Sequence, residues 1–177
     1  QKILQELNFP LSDDLGSQNI FYKLFEESAD ATLIIDNNRF VDCNKATLRM
    51  LRMETKEQVF NTHPSILSPE FQPCGLSSMV KAEQMMTIAF EIGSNRFEWI
   101  HRRADGEEFF AEVLLTKMNL EDKEILHCVW RDITERKMAE FALKASEESY
   151  KFLFEKAADG ILIVNYKGNV LQMNNSC

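Results

Sequence analysis

The residues with reactive side chains are few and stand far apart. The three histidines, His63, His101 and His127, sit in the contexts Thr-His-Pro, Ile-His-Arg and Leu-His-Cys, and none has a nucleophile and a carboxylate at a spacing that would build an acid–base pair. The four cysteines, Cys43, Cys74, Cys128 and Cys177, include no Cys-x-x-Cys step, which predicts small apolar residues in a reducing cytoplasm rather than a disulfide frame or a zinc site. The six glycines are scattered, so no loop cradles a phosphate. No catalytic residue and no metal ligand is therefore assigned. His101-Arg102-Arg103 is a short basic cluster flanked by Glu98 and Asp105, expected to be a solvated strand end. With a formal net charge of −8 the chain lacks the basic stripe that displaces counterions from nucleic acid.

The elements that would position any site follow from periodicity. Gln1–Leu7 reads as the end of a helix and Ser12–Asn19 as a polar linker. Phe21, Leu24 and Phe25 form an amphipathic turn before a strand at Ala31–Asp36. Asn37-Asn38, tolerant of positive φ, turns the chain into Phe40–Cys43. Asn44 is placed to cap a helix over Lys45–Met53, and Glu54–Thr62 offers another short one. Three prolines keep His63–Gly75 irregular. Met79, Ala82, Met86, Ala89 and Phe90 then recur at helical spacing across Ser77–Ile92.

Strands return at Arg96–Arg103, with Phe97 and Trp99 on one face, then at Glu108–Met118 and Glu124–Arg131, with Asp105-Gly106 and Asn119–Lys123 as turns. Two strands, several helices, then three strands predict an α+β domain with an antiparallel sheet. A helix from Glu135 to about Lys156 follows, with Asp132 and Glu135 at the spacing of a capping box. Met138, Ala145 and Phe152 repeat every seventh residue, but Glu148 interrupts the seam. A solvated connector and a dimerising helix both stay open.

Phe25–Asp36 (FEESADATLIID) reappears as Phe154–Asn165 (FEKAADGILIVN), too far apart for a solenoid unit, which recurs every ~20 to 50 residues. The division expected is an N-terminal helix and linker (1–20), a complete domain (21–134), a connecting helix (135–156) and the truncated start of a second domain (157–177). Residues 157–177 carry about two strands, too few for an independent core. No apolar run approaches the ~20 residues of a membrane span, so the fragment is expected to make no direct membrane contact.

Ala29-Asp30, Asn44, the Arg103-Ala104-Asp105-Gly106 hairpin and, most specifically, Arg131-Asp132-Ile133-Thr134-Glu135-Arg136-Lys137 make Phe21–Arg136 resemble a PAS sensory domain. Tyr150–Cys177 resembles the start of a second, through Asp159 and Asn174, and Arg96–Leu115 is most similar to PAS modules of prokaryotic sensor kinases. The resemblance implies a five-stranded antiparallel sheet with helices over one face, a pocket between them, and a helix leaving the last strand. It also implies that Asp132 and Thr134 anchor that exit helix. Asn38 stands near the family's usual glycine, a departure confined to turn geometry.

The resemblance also frames the cofactors. Flavin-binding members carry a reactive cysteine in Asn-Cys-Arg-Phe, where this chain reads Asn61-Thr62-His63-Pro64; haem-binding members place a histidine on the long helix, where Ser77–Ile92 has none. Neither cofactor is expected. Met85 and Met86 read as core filling, and His127 is a candidate to face the pocket. Candidate walls for a small unidentified ligand are Leu33, Ile35, Leu48, Leu51, Met86, Ala89, Phe90, Phe97, Trp99 and Trp130, which equally suit a filled core. The two tryptophan N–H groups are candidates to orient a ligand. The function implied is a non-enzymatic, cytoplasmic signal-relay module of a larger protein, a histidine kinase foremost, homodimeric through its flanking helices and linked to neighbouring PAS and output domains. A ligand-free interaction module, or the sensory part of another protein such as a diguanylate cyclase, is the alternative.

Overall fold

In a computed structural model, residues 15–120 and 123–177 are described. The expected helix at Gln1–Leu7 lies outside them. The chain divides after Thr134 into two compact units.

The first unit opens with helix α1 (Leu15–Glu27), so the latter part of the expected linker is helical. Strands β1 (Ala31–Asp36) and β2 (Arg39–Cys43) are joined by Asn37 and Asn38 at φ of 48° and 60°. Both are left-handed, the geometry that a two-residue hairpin demands and that asparagine tolerates best after glycine. Asn38 therefore makes the tight turn without glycine.

Helix α2 (Lys45–Leu51) is shorter than expected and stops at Arg52, which turns left-handed with its N–H on Arg49 O and Leu48 O. Lys56–Gln58 is a single 3-10 turn instead of the short helix predicted over 54–62, and Pro64–Leu67 is a second. Helix α3 (Ser78–Ile92) is capped by Ser77, whose Oγ accepts the Val80 N–H, and closed by Gly93 at φ 92°. It turns Ala82, Met86 and Ala89 inward, whereas Met79, placed on that face by spacing, is exposed.

Strands β3 (Ser94–Arg102), β4 (Glu108–Leu120) and β5 (Lys123–Asp132) complete the sheet, in the order β2-β1-β5-β4-β3, all antiparallel. Strand β4 runs to Leu120 and β5 starts at Lys123, so Asn119, Leu120 and Lys123, expected in the turn, belong to strands. The inward face alternates large and small side chains. Trp130 is flanked across the ladder by Ala31 and Val113, and Trp99 lies opposite Ala111. That pairing leaves room for both indoles in the core without overpacking.

Asn44 is the hub of the β2–α2 corner. Its Nδ2 donates to Phe25 O (3.1 Å) and Asp30 O (2.9 Å), while its Oδ1 accepts from Thr32 N (3.1 Å) and Thr47 N (3.0 Å). One buried side chain thus satisfies the ends of α1, β1 and α2. Lys56 makes a second clamp on α1, paired with Glu26 and, at 2.9 Å, with Asp42. Burial acts to lower the Lys56 pKa, but the two carboxylates outweigh it and raise it.

The second unit is built from helix α4 (Thr134–Lys156) and a hairpin of β6 (Leu162–Val164) and β7 (Val170–Met173). It repeats the Asn44 junction. Asn174 Nδ2 donates to Phe154 O (3.0 Å) and Asp159 O (2.9 Å), and its Oδ1 accepts from Ile161 N (2.8 Å). The register slip also recurs, between Ile34/Ile35 in the first hairpin and Ile163/Val164 in the second. Leu162, Val164, Leu171 and Met173 remain exposed.

Asn44→Ala orphans two buried N–H groups, one of them the α2 cap bond, and two carbonyls. We expect a loss of about 3 kcal/mol or more in urea unfolding. Asn44→Asp should cost nearly as much, because a carboxylate would face two carbonyl oxygens; a loss under about 1 kcal/mol for either variant would contradict the hub role.

Candidate functional site: a core cavity and the exit of the last strand

Between α3, the Pro64–Leu67 turn and the sheet lies an apolar cavity of about 30 Å³. Of the candidate walls, Ile35, Met86, Phe97, Trp99 and Trp130 line it. Leu33, Leu51 and Ala89 are buried core residues outside the lining, and Leu48 and Phe90 pack half-buried against that core. Periodicity marks a residue as inward-facing but not how far from the centre it sits, which is why the two groups could not be separated. Phe40, Ala82, Val113 and Leu115 also line the cavity and were not singled out.

The main correction is His101. Expected at a solvated strand end, it is buried, 2% exposed, in the cavity wall. Its ring stacks on Trp130 with centroids 3.7 Å apart, and its Nδ1 lies 3.1 Å from Leu67 O. A carbonyl only accepts, so Nδ1 carries the proton and Nε2 presents a lone pair that has no hydrogen-bond partner. Burial pulls the pKa from 6.5 down to about 3, so the ring is neutral. The signal was available in the alternation: two residues beyond Trp99 on one strand, His101 shares its face.

His127, a candidate to face the pocket, lies on the opposite face of β5 from Leu126, Cys128 and Trp130, half-buried, with its pKa lowered by that burial. His63 caps the 3-10 turn at Pro64–Leu67, its Nδ1 accepting the Ser65 N–H. The tryptophan donors are also spent, Trp99 Nε1 on Ser68 Oγ (2.9 Å) and Trp130 Nε1 on Cys128 Sγ (3.0 Å). They fix their rings and do not point free donors at a ligand. Burial pushes the Cys43 and Cys128 thiols up to about 12, so neither is a nucleophile near neutral pH.

The second locus is the end of β5. Asp132 Oδ1 accepts the Thr134 N–H at 2.9 Å, a shorter-range bond than the capping box expected with Glu135. Thr134 Oγ1 accepts the Phe110 N–H at 3.1 Å, while Ile133 N donates to Phe110 O, so β4 holds the first residues beyond β5. Arg103, expected with His101 at a solvated strand end and otherwise noted only as part of a motif, is instead largely buried and joins this locus to the rest of the domain. It donates to Asp132 Oδ2 (2.7 Å), pairs with Glu107, donates to Met50 O at the end of α2, and covers the Phe109 ring. Partial burial works to raise the Asp132 pKa, but the bonds from Thr134 and Arg103 prevail and hold it below the usual carboxylate range.

An antiparallel five-stranded sheet, helices over one face, an apolar cavity between the layers and a helix leaving the final strand make up a domain of the α+β class. The family described as PAS domain matches residues 29–135, more than half of the chain, and the chain belongs to that family. As a PAS domain it is a sensory module and not a catalytic one. Sporulation kinase E of Bacillus subtilis (strain 168) is 27% identical over 179 residues, covering 97% of this chain and 22% of that protein. The chain thus spans under a quarter of that curated relative's length. In fold, it is similar to a PAS domain from a two-component sensor histidine kinase, with TM-score 0.54 at 17% identity, covering 66% of this chain and 96% of that one. The PAS domain of an HTR-like protein from Haloarcula marismortui gives TM-score 0.56 at 22% identity, covering 75% and 96%. Among the described residues, no helix is long and apolar enough to cross a membrane, and no cluster of three or more His, Cys, Asp and Glu could hold a metal.

A His101 pKa held below its ordinary 6.5 means that the unfolded chain takes up the proton first. His101 should therefore contribute full stability above about pH 6.5 and lose it as pH falls towards 3, with a slope of up to about 1.4 kcal/mol per pH unit. Denaturant unfolding between pH 7 and 4.5 should show a steeper decline for the wild type than for His101→Phe. Parallel declines would contradict a neutral buried imidazole.

Proposed function

We propose that this PAS domain relays the state of its core cavity to its exit helix, within a larger signalling protein of the sensor histidine kinase type. One observation carries the proposal. His101 and Trp130 stack in the cavity wall, and two residues further along the chain from each, Arg103 just past the end of β3 and Asp132 at the end of β5 form the ion pair at the exit. A ligand that shifts the stack shifts the strands bearing the anchor of α4. Differential affinity for two arrangements of that anchor would then move an output equilibrium. The likeness to sporulation kinase E and to a histidine-kinase PAS domain supports a kinase as the output. The repeated Asn174 junction supports reading 157–177 as the beginning of a neighbouring PAS domain.

The apolar side chains that α4 leaves exposed favour a second reading, a module that joins subunits. Met138, Phe141 and Phe152 are each more than half exposed, which suits a homodimer through the flanking helices. The two readings are compatible, since a dimeric helix pair can receive the relay.

In a full-length sensor kinase carrying this chain, Arg103→Met and Asp132→Asn should each cut the ratio of stimulated to basal autophosphorylation by about fivefold or more, an effect of the size of one charged hydrogen bond. An unchanged ratio in both variants, with the protein folded, would remove the relay.

A further inference from the structure

We propose that the cavity binds a small neutral molecule with an apolar body and a single hydrogen-bond donor, and that His101 Nε2 accepts that donor. This rests on the reading of the core as a ligand site and specifies the ligand's chemistry.

The inventory of polar groups in the wall leads to this assignment. Trp99 and Trp130 have donated their N–H groups to Ser68 and Cys128, and His101 Nδ1–H is held by Leu67 O. Among the described residues of the lining, Nε2 is the one side-chain nitrogen or oxygen left without a partner. It cannot turn away, because the ring is stacked on Trp130 and lies 5.8 Å, centroid to centroid, from Phe109 on its strand neighbour. A buried acceptor left unpaired is costly, so a ligand that brings a donor gains more here than it would at an exposed site.

The same inventory excludes other ligand classes. An anion would meet a lone pair and no cation, since the Arg103 guanidinium is committed to Asp132, Glu107 and Met50 O. An ammonium would exchange its hydration for one bond among apolar walls. An ether or hydrocarbon of the same size would leave Nε2 unpaired. Size narrows the choice further: about 30 Å³ admits only a few heavy atoms, whereas a cavity that holds benzene is about 150 Å³. Met86, unbranched and flexible, is the wall residue best able to swing and admit slightly more. Depression of the imidazole pKa to about 3 keeps the lone pair available throughout the neutral range.

The test is a titration of the isotopically labelled 177-residue chain with propan-1-ol, with its isomer methoxyethane, and with propionate, followed by NMR of the His101 side-chain nitrogens and of the Phe110 and Thr134 amides. Millimolar concentrations suit so few atoms. The expected result is that propan-1-ol shifts Nε2 at least about tenfold more tightly than methoxyethane, the ratio one buried hydrogen bond gives, and that propionate does not bind. His101→Phe should abolish the preference; if that variant fails to fold, the alcohol–ether contrast in the wild type still decides. Equal binding of alcohol and ether with Nε2 unmoved would overturn the donor assignment and leave the core as a ligand site. No shift by any probe would overturn the inference. A shift at Nε2 with the Phe110 and Thr134 amides still would support the ligand assignment and count against the relay alone.

Discussion

The stack of His101 on Trp130 is the contact around which the rest of the domain is arranged. It needs a neutral imidazole, and neutrality follows from burial together with a single carbonyl, Leu67 O, that fixes the tautomer. It needs room for a flat indole in the middle of a sheet, and the ladder supplies this by setting Ala31 and Val113 beside Trp130. It needs the Pro64–Leu67 turn to reach over β3, which is the work of the proline-rich segment and its bond to the strand: Gln72 bonds both the N–H and the carbonyl of Ile100. Substitution in any of these three neighbourhoods is therefore felt at the same ring.

Two polar junctions hold the frame in which this contact sits. Asn44 closes the corner among α1, β1 and α2, and Arg103 closes the opposite corner among α2, the β3–β4 hairpin and the end of β5. Both are buried or nearly so, and both satisfy backbone carbonyls that would otherwise be orphaned. The surface ion pairs, such as Arg52 with Glu107, are half exposed and add little beyond orientation. Asn174 reuses the Asn44 geometry, down to the register slip in its hairpin, so a short local sequence suffices to specify the corner.

Much of the frame was legible because it is local. The paired asparagines, the cap at Asn44, the Asp105-Gly106 turn and the alternation through Phe97 and Trp99 each specify backbone over a few residues. The site was less legible because it depends on depth and on long-range partners. Leu33 and Ile35 are neighbours on one strand face, yet only Ile35 reaches the cavity. His101 read as solvent-facing because two arginines follow it, although its own parity with Trp99 turns it inward. Neither the partner of the Trp99 N–H nor the reach of Arg103 to Met50 O and Asp132 is encoded in spacing, since each spans dozens of residues.

The central claim is that cavity wall and exit anchor behave as one mechanical unit. A double-mutant cycle on stability between His101→Phe and Asp132→Asn tests it most directly, because the two side chains do not bond each other. Coupling through the shared strands and Arg103 predicts an interaction energy of about 0.5 to 2 kcal/mol. Additivity within about 0.3 kcal/mol would mean that the cavity and the exit helix are independent features of one fold.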